Sequence, residues 1–147
     1  DDLNGTSGDN LIVAKNGDDT ISGGAGDDRI LAGKGDDIIE GGAGDDTMLG
    51  GLGDDQFVFT NADFDGGGWT DVVNGHGDSG RQSSGYDTID LTQVTDGWTM
   101  EIDGQSQEIA SGDGASEYAD GGEDFSGTIT FDDGSSIAFE NIEKVDW

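Results

Sequence analysis

Cysteine and proline are both absent from this 147-residue chain, and only five Lys and Arg stand against 34 Asp and Glu. Without cysteine there is no disulfide stapling, no thiolate ligand and no thiol chemistry, although this does not fix the compartment. A net charge of −29 repels nucleic acid and anionic lipid, which excludes both as direct partners, and attracts cations. No run is apolar enough to insert into a membrane, and no segment has the form of a cleavable signal peptide. The chain opens at Asp1 rather than at methionine and reads as a fragment of a longer protein, whose other domains are its expected neighbours. Apolar residues make up only 31%, too few for an ordinary core. Low hydrophobicity with high net charge is the composition of disorder.

Against that composition stands order in the sequence. From Gly5 the chain divides into blocks of nine, GTSGDNLIV, AKNGDDTIS, GGAGDDRIL, AGKGDDIIE, GGAGDDTML and GGLGDDQFV, reaching Val58 without insertion. Glycine holds every fourth place: Gly8, Gly17, Gly26, Gly35, Gly44 and Gly53. The sixth place is Asn10, Asp19, Asp28, Asp37, Asp46 and Asp55, and the eighth is apolar throughout, from Ile12 to Phe57. Such a period means a stacked repeat architecture. Glycine supplies the positive φ that tight turns demand. The last three residues of a block are expected to form a short strand with the eighth side chain inward. One large side chain does not offset the ordering of nine residues, so blocks must stack to bury a continuous ladder.

The pattern resembles the repeats-in-toxin (RTX, hemolysin-type) nonapeptide G-G-x-G-x-D-x-U-x, with U a large apolar residue, over residues 5–58. The first block is degenerate, and Ala14, Lys15 and Ala32 replace leading glycines in the second and fourth. The resemblance implies an all-β chain: a parallel β-roll over 1–58 in which two blocks make one coil. It further implies calcium as the metal and a secreted bacterial parent exported by a type I system. The chemistry agrees with calcium. Stacked turns superimpose carboxylates, and calcium takes six to eight oxygen ligands in loose geometry. Magnesium wants a tighter octahedron, and softer metals want His or Cys, which the repeats lack.

In the family resembled, each ion lies between one turn and the turn a coil later. The earlier turn offers carbonyls from its second and fourth residues, the later one carbonyls from its first and third, and both offer the sixth side chain. Carried onto this chain, Thr6, Gly8 and Asn10 face Gly23, Ala25 and Asp28. Lys15, Gly17 and Asp19 face Ala32, Lys34 and Asp37. Gly24, Gly26 and Asp28 face Gly41, Ala43 and Asp46, and Gly33, Gly35 and Asp37 face Gly50, Leu52 and Asp55. At least four calcium ions follow, and their +8 leaves a chain of −29 at −21. Asn10 weakens the first site, whereas Lys15, Ala32 and Lys34 would donate backbone carbonyls only and should matter little. The fifth-place aspartates, Asp9 to Asp54, are expected to face solvent and act only through long-range field.

Gly42 and Gly44, from the fifth block, have no repeat one coil above them. Asn61, Asp63 and Asp65 fall there and match the opening half of an EF-hand loop, whose twelfth position is here Val72 instead of glutamate. They are candidates for a fifth ion. Residues 59–147 lose the repeat and read as a β-rich cap, with strands expected at Tyr86–Leu91, Trp98–Ile102, Gly127–Phe131 and Ser136–Val145 and a loop at Ser111–Asp124. An open roll end would expose unpaired strand edge, which such a cap would cover. Phe57-Val58-Phe59 and the later Asp87-Thr88-Ile89-Asp90-Leu91 resemble the end of the β-roll in serralysin-type proteases, which makes Asp90 a candidate closing ligand. The segment from Ile137 to Val145 resembles sequence upstream of Hint domains in secreted bacterial proteins.

No catalytic constellation emerges, and the chain is read as a non-enzyme. His76 is the one histidine, lacks a second nitrogen or thiol ligand, and reads as a solvated loop residue. A triad with Ser79 or Ser83 can be drawn in any chain so rich in Ser and Asp. The functional reading is a calcium-binding module that folds outside the cell. Its alternative is a carbohydrate-binding or adhesive module, with Trp69, Trp98 and Trp147 stacking on a polysaccharide. Tryptophan also suits the core of a small β cap, the preferred place for these three.

Overall fold

The computed structural model describes residues 1–147 except 64–66, 77–84, 96, 103–104, 111–116 and 120–124, and for 105–110 and 117–119 it describes the backbone alone. Among the described residues the chain is all β, with fifteen strands numbered along the sequence. One sheet runs β1 (Asp2–Thr6), β3 (Thr20–Ala25), β5 (Ile38–Ala43), β7 (Gln56–Thr60), β9 (Thr88–Gln93), β15 (Lys144–Asp146) and β12 (Glu117–Ala119). The other runs β2 (Leu11–Val13), β4 (Arg29–Lys34), β6 (Thr47–Leu52), β8 (Thr70–Asn74), β14 (Ser136–Ile142), β13 (Phe125–Phe131), β10 (Trp98–Ile102) and β11 (Gln105–Ala110). Alternation of strands between the sheets is the signature of a two-blocks-per-coil roll. All pairings are parallel from β1 to β15 and from β2 to β14. The remainder, at β12 and from β14 to β11, are antiparallel.

The stacking is in register at the eighth position. Leu3, Ile21, Ile39, Phe57, Ile89 and Val145 stand over one another on the first sheet. Ile12, Ile30, Met48, Val73 and Phe139 do so on the second. All but the first members of the two columns are buried. Both columns therefore run beyond the repeats without a break. Residues 70–74, not anticipated as a strand, continue the second.

The strands are longer than three residues. β3 to β6 each extend through the first three places of the next block, so the first-place residue also points inward. Gly23, Ala32, Gly41 and Gly50 occupy it, all buried. At the three glycines a Cβ would run into the sixth-place carboxylate of the same block, Asp28, Asp46 or Asp55. Past the repeats the same inward place is taken by Phe59 and Leu91, and the core widens around Trp98, Met100, Phe125, Ile129, Phe131 and Ile142. Trp69 lies 6.0 Å from Phe131, and Trp98 meets Trp147 edge-on at 5.2 Å. Trp69 and Trp98 are buried and Trp147 is half-buried, so these rings are core and form no open stacking platform. Of the expected C-terminal strands, Trp98–Ile102 is present with those bounds as β10, and the others are present with shifted bounds. Ser136–Val145 divides into β14 and β15, and the Ser111–Asp124 segment falls mostly outside the described residues.

Candidate metal centre

From the second block to the sixth, each turn owes its shape to two left-handed residues, at the second and fourth places, whereas Thr6 and Gly8 of the degenerate first block are not left-handed. Gly24 and Gly26 have φ of 107° and 100°, and Gly42 and Gly44 have 101° and 134°. In the second block the second place is Lys15, held at φ 90°. Its departure from glycine is therefore not neutral, as the backbone-donor argument supposed: an L-residue in this region carries steric strain.

The sixth-place carboxylates form two ladders. On one side Asn10 N–H donates to Asp28 Oδ1 (2.7 Å) and Asp28 N–H to Asp46 Oδ1 (2.8 Å). On the other, Asp19 N–H donates to Asp37 Oδ1 (2.8 Å) and Asp37 N–H to Asp55 Oδ1 (3.0 Å). Every rung thus uses one carboxylate oxygen. The second oxygen, Oδ2 of Asp19, Asp28, Asp37, Asp46 and Asp55, is buried and makes no hydrogen bond among the described residues. A buried, unbonded carboxylate oxygen is costly unless a cation meets it.

The four sequence-derived sets lie on facing turns. Gly17 N–H donates to the Lys34 carbonyl (2.7 Å), Gly26 N–H to that of Ala43 (2.8 Å) and Gly35 N–H to that of Leu52 (2.8 Å). Lys15 N–H donates to the Ala32 carbonyl at 2.8 Å. Thr6 pairs with Gly24, Gly24 with Gly42 and Gly33 with Gly51. The carbonyls of Gly41 and Gly50 belong to turns placed the same way over those of Gly23 and Gly33. Gly8 and Asn10 lie under Gly26 and Asp28.

Electrostatics point the same way. Burial pushes the carboxyl groups of Asp28 and Asp37 above their ordinary range, Asp46 up to about 6 and Asp55 up to about 8; neighbouring aspartates add to each shift, and backbone N–H donation opposes it. The fold alone disfavours the charged form of these groups. A divalent oxygen-seeking cation would reverse that preference, and the all-oxygen, conformationally loose donor set fits calcium.

The fifth-place aspartates do more than supply a field. They are exposed, as expected, yet Asp9, Asp18, Asp27 and Asp36 each accept a backbone N–H from the coil above, at 2.9–3.1 Å. They bind coils together from the outside of the turn.

Of the further candidates, Asp63 is buried in the turn after β7 and accepts from Thr60 N–H. Asn61 is exposed and exchanges hydrogen bonds with Thr95, and Asp65 lies outside the described residues. Asp90 sits on strand β9, away from the turn. Its Oδ2 accepts from Gln56 and its Oδ1 from Thr92, so both oxygens are engaged. The turn position is held by Asp87 instead, fully buried, with Asp55 N–H donating to its Oδ1 at 2.9 Å.

His76 is not a solvated loop residue. It is buried, with Nδ1 3.0 Å from Asp87 Oδ2 and Nε2 3.8 Å from Glu143 Oε1. Glu143 accepts from Asp87 N–H at 2.6 Å and so takes the sixth-place role for one more coil. Sequence reasoning passed over Asp71, Asp87 and Glu143 as ladder members. A signal was present in Asp71-Val72-Val73, Asp87-Thr88-Ile89 and Glu143-Lys144-Val145: an acid followed two places later by an inward apolar residue, as in Asp19-Thr20-Ile21.

With this geometry in hand, residues 4–39 and 22–57 match the family model of the RTX calcium-binding nonapeptide repeat (4 copies). No curated protein matches the chain.

Proposed function

We propose that the whole chain, whose residues 4–57 match the RTX calcium-binding repeat family, is a calcium-triggered folding module of a secreted protein, kept unfolded where calcium is scarce. The carrying observation is the pair of buried ladders whose Oδ2 atoms find no hydrogen-bond partner among the described residues. Calcium supplies the positive charge that those oxygens lack. Asp19, Asp28, Asp37, Asp46 and Asp55, with Asn10, act as its side-chain ligands, and the facing carbonyls of the second, fourth, first and third places complete each shell. Residues 59–147 act as the cap that covers the last coil.

An acidic chain without bound calcium repels itself and stays extended, which suits passage through a narrow type I channel. Millimolar calcium outside binds only the folded form and draws the chain into it by mass action. Small-angle scattering tests the reading on the full chain. With calcium, the radius of gyration should approach about 15 Å, and in chelator it should rise toward the roughly 40 Å of an unfolded chain of this length. A radius unaffected by chelator argues against a folding trigger.

A further inference from the structure

We propose two more calcium sites beyond the repeats, one between the fifth-block turn and the turn of Asp71, the other between the sixth-block turn and the turn of Asp87. The proposal deepens the reading of the repeat ladders and rests on the same register. Asp46 N–H donates to Asp71 Oδ1 at 2.8 Å and Asp55 N–H to Asp87 Oδ1 at 2.9 Å, matching the rungs within the repeats. The neighbouring bonds match too. Val72 N–H reaches the Asp46 carbonyl and Thr88 N–H that of Asp55, both at 2.8 Å, as Thr47 N–H reaches that of Asp28 at 2.9 Å. Even the outer ladder continues, with Thr70 N–H on Asp45 Oδ1 and Tyr86 N–H on Asp54 Oδ1, each at 2.8 Å. Two segments of unrelated sequence thus repeat the ladder hydrogen bonds of the repeat turn at residues 70–72 and 86–88.

The oxygens aimed between these turns are the ones without partners. Asp46 Oδ2 and Asp55 Oδ2 are buried and unbonded, on residues only 1% exposed. Within the repeats, Asp28 Oδ2 and the Gly41 carbonyl together occupy the space that a Cβ on Gly23 would need. Asp55 Oδ2 and the Gly75 carbonyl occupy the corresponding space at Gly50, and Gly51 N–H donates to that carbonyl at 2.7 Å. Gly75 is therefore the first-place carbonyl of the Asp87 turn. At the other site, buried Asp63 adds its charge to those of Asp46 and Asp71 and helps to raise both their carboxyls.

The same geometry says where the columns stop. Above Asp71 the residue in register is Ile137, which brings no oxygen side chain. Above Asp87 stands Glu143, but Asp87 Oδ2 is bonded to His76 Nδ1 at 3.0 Å, so an imidazole takes the place in the column that a cation holds lower down. The total is six ions on the chain.

Two measurements on the full chain test this. Native mass spectrometry across a calcium titration should count six ions, and Asp71→Ala and Asp87→Ala should each lower the count by one. Terbium, which replaces calcium, gives an independent readout that needs no variant to begin with. The repeats contain neither Trp nor Tyr, whereas Trp69 and Tyr86 flank Asp71 and Asp87. Excitation of these rings should sensitise terbium emission, and Asp71→Ala should remove the part excited through tryptophan. A count of four, unchanged in both variants and without sensitised emission, overturns the added sites while leaving the repeat sites standing. A count that Asp28→Ala leaves unchanged overturns the repeat sites, and with them the register on which the added ones rest.

Discussion

At the scale of single residues, position within a ladder decides consequence more than residue type does. Asp28 and Asp37 each have a sixth-place residue of the repeats both one coil below and one coil above. Removing one strips oxygens from two adjoining sites and leaves their partners buried and uncompensated, a loss of about 3–5 kcal/mol for buried charged constellations. Asp28→Ala and Asp37→Ala should therefore raise the calcium midpoint of folding more than Asp19→Ala, which lies in one repeat site. Equal midpoints for the three would contradict the coil assignment. Lys15 offers the opposite sign. Its φ of 90° is strained for an L-residue by about 1–2 kcal/mol, and glycine adopts it freely, at some cost in unfolded-chain entropy. Lys15→Gly should raise the melting temperature of the calcium-loaded protein. A lower one would mean that the lysine side chain contributes something the backbone does not show.

At the scale of elements, the two sheets are built by a rule plain in the first half and obscured in the second. Ladder partners within the repeats are 18 residues apart, whereas Asp46 to Asp71 spans 25, Asp55 to Asp87 spans 32 and Asp87 to Glu143 spans 56. A fixed period exposes the former to inspection. Loops of unequal length hide the latter, because register there is set by tertiary pairing and not by spacing. The same difference explains β8: Thr70-Asp71-Val72-Val73-Asn74 has a weak alternation of its own and becomes a strand by pairing with β6 and β14. Asp90 misled for a related reason, lying in an Asp-rich stretch where only the register separates the turn residue from the strand residue three places later. If residues 59–147 are the cap, then a fragment ending at Thr60 lacks β8 and β9, leaves β6 and β7 as open edges, and uncovers Phe57 and Phe59. Such edges aggregate or fray. Circular dichroism and light scattering of residues 1–60 in calcium should show incomplete folding or association. A monomer folding at the midpoint of the full chain would contradict the capping role.

At the scale of the whole molecule, 34 acidic residues against five basic ones make proton and calcium rivals for the same oxygens. Without calcium, the folded chain holds Asp46 and Asp87 up at about 6 and Asp55 and Asp71 at about 8, each from an ordinary 3.8, chiefly through burial. A raised folded value means that the folded state binds more protons than the unfolded one between about pH 4 and 8. The calcium-free fold therefore gains stability as pH falls through that window and loses it as pH rises. The calcium-loaded fold behaves oppositely, since protonation displaces the ion. In chelator, β structure should increase between about pH 7.5 and 5, while the calcium midpoint should move to higher concentration. A chelated chain whose order is the same at both pH values would contradict the burial argument.

The claim on which the rest depends is that calcium folds this chain, and the most direct measurement is far-ultraviolet circular dichroism of residues 1–147 titrated with calcium from a chelated start. The account predicts a disordered spectrum in chelator, a cooperative rise of β signal with calcium, and full reversal on returning chelator, with magnesium unable to substitute. A β spectrum at neutral pH that is already complete in excess chelator, and unaltered by added calcium, would contradict it.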